Sequence, residues 1–179
     1  MGSTDPWMIA EVAGPRRASV ITKAEVADAI IRRARHPLLI VGSLSAEIEV
    51  DDRKLIDYLV LLAQKGGIPV VATAQVGKDL LERDLTPDRQ MAAVDIAQRL
   101  ADPLWKGVDG KGPHDLAMFA GLPYYLTQTV LSGLKHFAPA VKTMTLDNVY
   151  HPQASWSLSN LSLRDWVTTL RSIIENLEE

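Results

Sequence analysis

An α/β domain, built as an open parallel sheet with helices on both faces, is what this sequence predicts. Three observations point there. Short apolar runs, Leu38–Val41 and Ile68–Ala72 among them, recur along the 179-residue chain; runs of this kind are strands covered on both sides. Amphipathic helical segments alternate with the runs, and parallel neighbours need such long crossovers. The composition, 47% apolar and 23% charged, is that of a globular chain able to bury one sizeable core.

Taken in order, residues 1–21 read as a leader. Met1 to Asp5 carries no structural signal, and Met8 to Ile21, with Gly14 and Pro15, reads as irregular or extended. Thr22-Lys-Ala-Glu25 has the spacing of a capping box, and Val26, Ala29, Ile30 and Ala34 follow at helical intervals. Pro37 ends that helix. Leu38–Gly42 is the first strand. Asp51 and Asp52 are placed to open a second helix at its positive end. Its buried stripe is Leu55, Ile56, Leu59, Leu62 and Ala63, and Gly66-Gly67 stops it. Ile68–Ala72 is the second strand, with Pro69 near its start. Two short helices are expected at 76–83 and 87–100, a third strand at 115–121, a helix at 123–136, and a fourth strand at 141–147 nearer an edge. Residues 150–160 read as irregular or a short edge strand. Ser162 starts the last helix, with Trp166, Leu170, Ile173 and Leu177 on one face. Residues 22–179 therefore form one domain.

Several classes of chemistry are excluded or disfavoured. Cysteine is absent, which removes disulfides, thiolate nucleophiles, and cysteine ligation of clusters or zinc, and fits a reducing cytoplasm. The formal net charge is −3, and the arginine and lysine pairs are dispersed, so no nucleic-acid stripe is expected. No apolar run approaches the roughly 20 residues of a membrane span, and the N-terminus lacks the layout of a signal peptide. Neither a G-x-G-x-x-G nor a Walker A pattern occurs; Gly77-Lys78 is followed by Asp79. The four histidines show no metal spacing, and structural or surface roles are expected for them; neither a catalytic nor a metal site is predicted.

In open parallel sheets, ligands bind beyond the carboxyl ends of the strands where the strand order reverses. Four loops qualify here. The candidate cofactor-binding residues on them are Gly42, Ser43, Thr73, Gln75, Gly121 and Asp147. Small residues admit a ligand to the backbone, or merely turn the chain. Asp147 accepts from a ribose, or caps the following turn. Trp105, Trp156 and Tyr125 lie outside the predicted strands and are the candidate partner contacts, because aromatic side chains on loops anchor interfaces; the alternative is that they pin their own loops.

Arg35-His-Pro-Leu-Leu-Ile-Val-Gly42, Ala101-Asp-Pro-Leu-Trp-Lys-Gly-Val-Asp-Gly-Lys-Gly112, Tyr124-Tyr125 with Val130-Leu-Ser132, and Ser155-Trp-Ser-Leu-Ser-Asn-Leu-Ser162 together resemble the epsilon-subunit family of the archaeal acetyl-CoA decarbonylase/synthase complex. The resemblance runs from Thr22 to the C-terminus, and the Asp-Pro-Leu-Trp to Gly-Lys-Gly stretch is its most specific part. It implies a Rossmann-like domain similar to the NAD/FAD-binding-like central domain of thiamine-diphosphate enzymes. It also implies a partner, the nickel–iron–sulfur alpha subunit of carbon monoxide dehydrogenase, in an alpha2-epsilon2 assembly. The implied role is non-catalytic: stabilising that subunit, or helping FAD accept electrons. The competing readings are a stand-alone nucleotide- or flavin-binding domain and a small NAD-dependent enzyme of related fold.

Overall fold

The computed structural model describes residues 16–177. Met1 to Asp5, Gly14 and Pro15 fall outside them. Seven parallel strands form one sheet: β1 (Ser19–Ile21), β2 (Pro37–Val41), β5 (Val70–Ala72), β6 (Arg89–Gln90), β7 (Leu116–Ala120), β8 (Lys142–Thr145) and β9 (Trp156–Leu158). Their order is β1-β9-β8-β7-β2-β5-β6. A separate two-stranded ribbon pairs β3 (Glu49–Val50) with β4 (Arg53–Lys54). The helices are α1 (Ala24–Arg33), α2 (Leu55–Gly66), α3 (Val76–Leu81), α4 (Ala93–Ala101), α5 (Tyr124–Phe137) and α6 (Leu163–Asn176).

Strand alternation divides the core in two. Leu39, Val41, Val70, Met118 and Ala120 face a layer made by α1, α2, α3 and α6. Leu38, Ile40, Val71, Ala117 and Phe119 face the opposite layer, made by α4 and α5. Both faces of β2 and β7 are therefore covered, which is why their residues read as unbroken apolar runs. Among the described residues Trp166 is the largest fully buried side chain, and its indole N–H donates to the Leu146 carbonyl at 2.7 Å.

The structure corrects the sequence reading in several places. Lys23, not Thr22, occupies the N-cap of α1 and makes no side-chain cap, because the chain leaves the extended β1 only at Ile21. Asp51 and Asp52 form the turn of the β3–β4 ribbon, with Asp51 at φ 67°, and α2 starts at Leu55. Asp57 does the capping there, its carboxylate accepting from the Lys54 amide at 2.8 Å. Gly67, at φ 58°, ends α2 as expected. Arg89–Gln90 is an edge strand on β5, so the helix expected from 87 begins at Ala93. β8 is not near an edge: β9 and β1 lie outside it. Trp156, expected on a loop, opens β9, and Ser19–Ile21 within the leader pairs with it.

Candidate strand-end site

The chain enters the sheet centre at β2, runs outward through β5 and β6, and returns to β7 on the other side of β2. The order reverses between β2 and β7, and Gly42 and Gly121 follow those two strands. They meet backbone to backbone. The Gly42 amide donates to the Ala120 carbonyl at 2.8 Å, and the Leu44 amide donates to the Gly121 carbonyl at 2.9 Å. A Cβ on Gly42 would lie 2.1 Å from the Gly121 oxygen. Ser43 opens a single 3-10 turn, Ser43–Ala46, in which the Ser45 hydroxyl donates to the Gly42 carbonyl at 2.6 Å. Gly121 sits at φ 74°, against Ser45. A flavin ring or a pyrophosphate placed between the ends of β2 and β7 would have to displace this clasp.

Asp147, just beyond β8, closes the clasp from the third side. Its Oδ1 accepts from the Gly121 amide at 2.8 Å. Burial pushes its carboxyl up to about 7, and the Gly121 hydrogen bond offsets only part of that. His151 Nε2 lies 3.8 Å from Asp147 Oδ2. Burial pushes His151 down to about 4, so the contact is not an ion pair near neutral pH. The His151 ring stacks on Tyr124 at 4.6 Å, and its amide donates to Ser157 Oγ at 3.0 Å. His151 Nδ1 and Gln128 Oε1 are buried and have no hydrogen-bond partner among the described residues.

Gly42, Ser43, Gly121 and Asp147 thus converge. Thr73 lies beside them but spends its hydroxyl on the Val41 carbonyl at 3.1 Å. Gln75, exposed at the start of α3, is not part of the clasp. His151 and Gln128 were missed in the sequence; the only signal was a histidine four residues after Asp147.

The opposite ends of β2 and β7 carry the Asp102–His114 loop. His36 and His114 stack at 3.9 Å, and the Val108 amide donates to His114 Nε2 at 3.1 Å, which leaves Nδ1–H to donate to the His36 carbonyl. Burial, then the nearby His36, holds His114 below the ordinary histidine range. His36 also reaches Asp109 at 3.2 Å. The loop is thereby fixed, with Trp105 half-buried against the α4–α5 core and Leu104 81% exposed.

Beside Trp105, α4 and α5 leave an apolar groove. Val94, Ala97, Thr129, Gly133 and Phe137 line a 360 Å³ cavity. It shares Ala101 and Phe137 with a 320 Å³ cavity walled by Trp105. Phe137 is 77% exposed, and Tyr125, farther along α5, is 76% exposed. Trp156 is half-buried and packs against the other helical layer, so it does not share this surface.

The sequence profile of the family described as CO dehydrogenase beta subunit/acetyl-CoA synthase epsilon subunit matches residues 2–174. The chain belongs to this family. Its relatives include the acetyl-CoA decarbonylase/synthase complex subunit epsilon of Methanothermobacter thermautotrophicus, 36% identical over 94% of this chain and 93% of that protein. Subunit epsilon 1 of Archaeoglobus fulgidus is 37% identical over 94% of this chain and 90% of its own length. The Methanothrix soehngenii subunit epsilon is 35% identical, covering 88% and 81%. The resemblance seen in the Asp102–Gly112 and neighbouring stretches is thus a family relationship. Among the described residues no helix is long and apolar enough to cross a membrane, and no group of three metal-ligating side chains occurs.

Proposed function

We propose that this chain is a non-catalytic accessory subunit, docking in the cytoplasm through its α4–α5 face onto the alpha subunit of carbon monoxide dehydrogenase in an alpha2-epsilon2 assembly. Docking stabilises that subunit, which holds the nickel–iron–sulfur centre; without cysteine this chain ligates no cluster of its own. The observation that carries the reading is the apolar surface made by Leu104, Phe137 and the α4–α5 groove, with Tyr125 along the same helix. Large side chains left this exposed beside an apolar groove mark an interaction surface. Family membership supports a partner within an enzyme complex: the relatives are named as subunits of one.

Phe137→Asp and Leu104→Asp test it. Each buries a charge in the contact, so co-purification with the alpha subunit is expected to weaken by roughly thirtyfold or more, the scale of a hot-spot residue. Leu163→Asp, on an exposed residue of α6 in the other layer, is expected to leave assembly intact. Unchanged assembly in both α4–α5 variants defeats the docking face.

Flavin-assisted electron transfer is a second reading, favoured by the buried, unpartnered His151 Nδ1 and Gln128 Oε1 beside the strand ends. It goes with our proposal that the fold is akin to the central domain of thiamine-diphosphate enzymes, and it requires the Gly42–Gly121 clasp to part. Titrating the folded chain with FAD checks it: saturable quenching of flavin fluorescence supports it, and none at high micromolar flavin removes it.

A further inference from the structure

Positive side chains gather in a cleft beside the C-terminal end of α5. Arg16 and Arg17 come from the chain leading into β1, Lys135 from α5, and Lys142 from the start of β8. Together they line a 210 Å³ cavity, and none of the described residues lining it is acidic. The chain as a whole carries a net charge of −3, so the cleft reverses its sign locally. Arg16, Arg17 and Lys142 are exposed, whereas Lys135 is half-buried. Its ammonium donates to the Arg16 carbonyl, and to Gln153 Oε1 at 3.1 Å. Burial, then the nearby Arg16, holds Lys135 below the ordinary lysine range.

The cleft is continuous with the apolar groove. Leu134 walls both the cleft and the cavity between α4 and α5. Ala138 and Val141 wall both the cleft and the cavity of Trp105. An element lying along the groove past Phe137 therefore runs into the cations. Among the described residues lining the groove the one acidic side chain is Asp102, whose carboxylate accepts from the Leu104 amide at 2.9 Å. The cleft is poorly built for a small phosphate. Compact phosphate sites use the amides of a helix N-terminus; here α5 presents its C-terminal carbonyls, the negative end of its dipole. Long, exposed cationic side chains suit carboxylates carried on a partner's surface, where opposite potentials meet.

We propose that the element docking on the α4–α5 face is a mixed one: an apolar stretch that covers Phe137 and the groove, continued by two or more Asp or Glu side chains that enter the cleft of Arg16, Arg17, Lys135 and Lys142. This rests on the docking face proposed above and adds the chemistry of what binds there. The apolar part holds the complex, and the charges orient it and speed its approach.

Binding of the full chain to the purified alpha subunit, followed by surface plasmon resonance at low and high salt, tests this. Arg16→Glu with Lys142→Glu is expected to weaken binding about tenfold at about 0.1 M NaCl, mainly through slower association. The difference is expected to shrink below about twofold at about 1 M NaCl, where the screening length falls from roughly 10 Å to 3 Å. The loss in Phe137→Asp is expected to persist at both salt concentrations. Arg33→Glu with Lys78→Glu makes the same change in net charge on exposed residues of the other helical layer, and is expected to weaken binding by no more than about twofold. If Phe137→Asp weakens binding and Arg16→Glu with Lys142→Glu does not, the docking face stands and the acidic continuation falls. If the cleft variant alone weakens it, the docking face falls, and the continuous element with it. If neither does, both readings fall. An equal loss in the Arg33 and Lys78 variant assigns the effect to net charge and overturns the cleft's role. Inorganic phosphate that saturates the cleft of the free chain below about 1 mM, followed by NMR, makes it a small-anion site and overturns the proposal likewise. Should the double reversal fail to fold, Arg16→Gln with Lys142→Gln takes its place, with about a threefold loss expected at the lower salt and none overturning the proposal.

Discussion

Gly42→Ala is expected to cost the fold more than about 3 kcal/mol, at the upper end of what overpacking does. Gly42 has an ordinary φ of −87°, so its backbone conformation is open to any residue. The reason is approach. An added Cβ would meet the Gly121 oxygen at 2.1 Å, the Gly121 carbonyl carbon at 2.3 Å and the Leu122 nitrogen at 2.4 Å. All three are backbone atoms and cannot rotate away. The two loops must separate, which strains the Gly42 to Ala120 and Leu44 to Gly121 hydrogen bonds and draws Gly121 from Asp147. Gly133→Ala is the contrasting case. Its Cβ meets nothing within 4 Å, and it lies inside α5, so it is expected to stabilise by about 0.5–1 kcal/mol. Urea denaturation of the two variants reads both effects. A Gly42→Ala protein as stable as its parent would show that the clasp is slack rather than closely packed.

What the sequence revealed of this fold follows from burial. β2 and β7 are covered on both faces, so Leu38–Val41 and Leu116–Ala120 announce themselves. β1, β6 and β9 hold two or three residues each, with Ser19, Arg89, Gln90 and Ser157 among them. Nothing local marks such segments as strands; their pairing with distant partners makes them so. β8 looked like an edge because Lys142, Thr143 and Thr145 interrupt its apolar residues. It lies inside because Thr143 and Ser155 exchange amide-to-hydroxyl bonds, and the Thr145 hydroxyl donates to Ser157 Oγ at 2.8 Å. The site was legible in its place but not in its mode. Topology alone put Gly42, Gly121 and Asp147 near one another. That the two glycines close on each other is a property of three-dimensional approach, which no spacing encodes. Leu104 and Phe137 show the opposite limit: an apolar residue in the sequence carries no sign of whether it faces the core or a partner.

Burial of Asp147 and His151 makes the stability of this protein respond to pH in opposite senses at two neighbouring side chains. Asp147 is raised from 3.8 to about 7 by burial, so the folded form holds a proton that the unfolded chain releases; stability is lost as pH rises across that window, by roughly 4 kcal/mol in all. His151 is lowered from 6.5 to about 4 by burial, so the unfolded chain binds the extra proton; stability is lost as pH falls across that window, by roughly 3 kcal/mol. Between about pH 4 and 6.5 the two slopes largely cancel, and single substitutions uncover each one. Relative to the unaltered chain, Asp147→Asn is expected to gain progressively from pH 4 to 7, reaching about 4 kcal/mol and then holding constant. His151→Gln loses the Tyr124 stack by a fixed amount at all pH values, but is expected to recover about 3 kcal/mol of that difference on acidification from pH 6.5 to 4. Urea midpoints across this range measure both. Because the groups lie 3.8 Å apart, the double variant is expected to depart from the sum of the singles where both titrate, between about pH 4 and 7, and to be additive elsewhere. If Asp147→Asn tracks the unaltered chain at every pH, the carboxyl is hydrated in the folded protein.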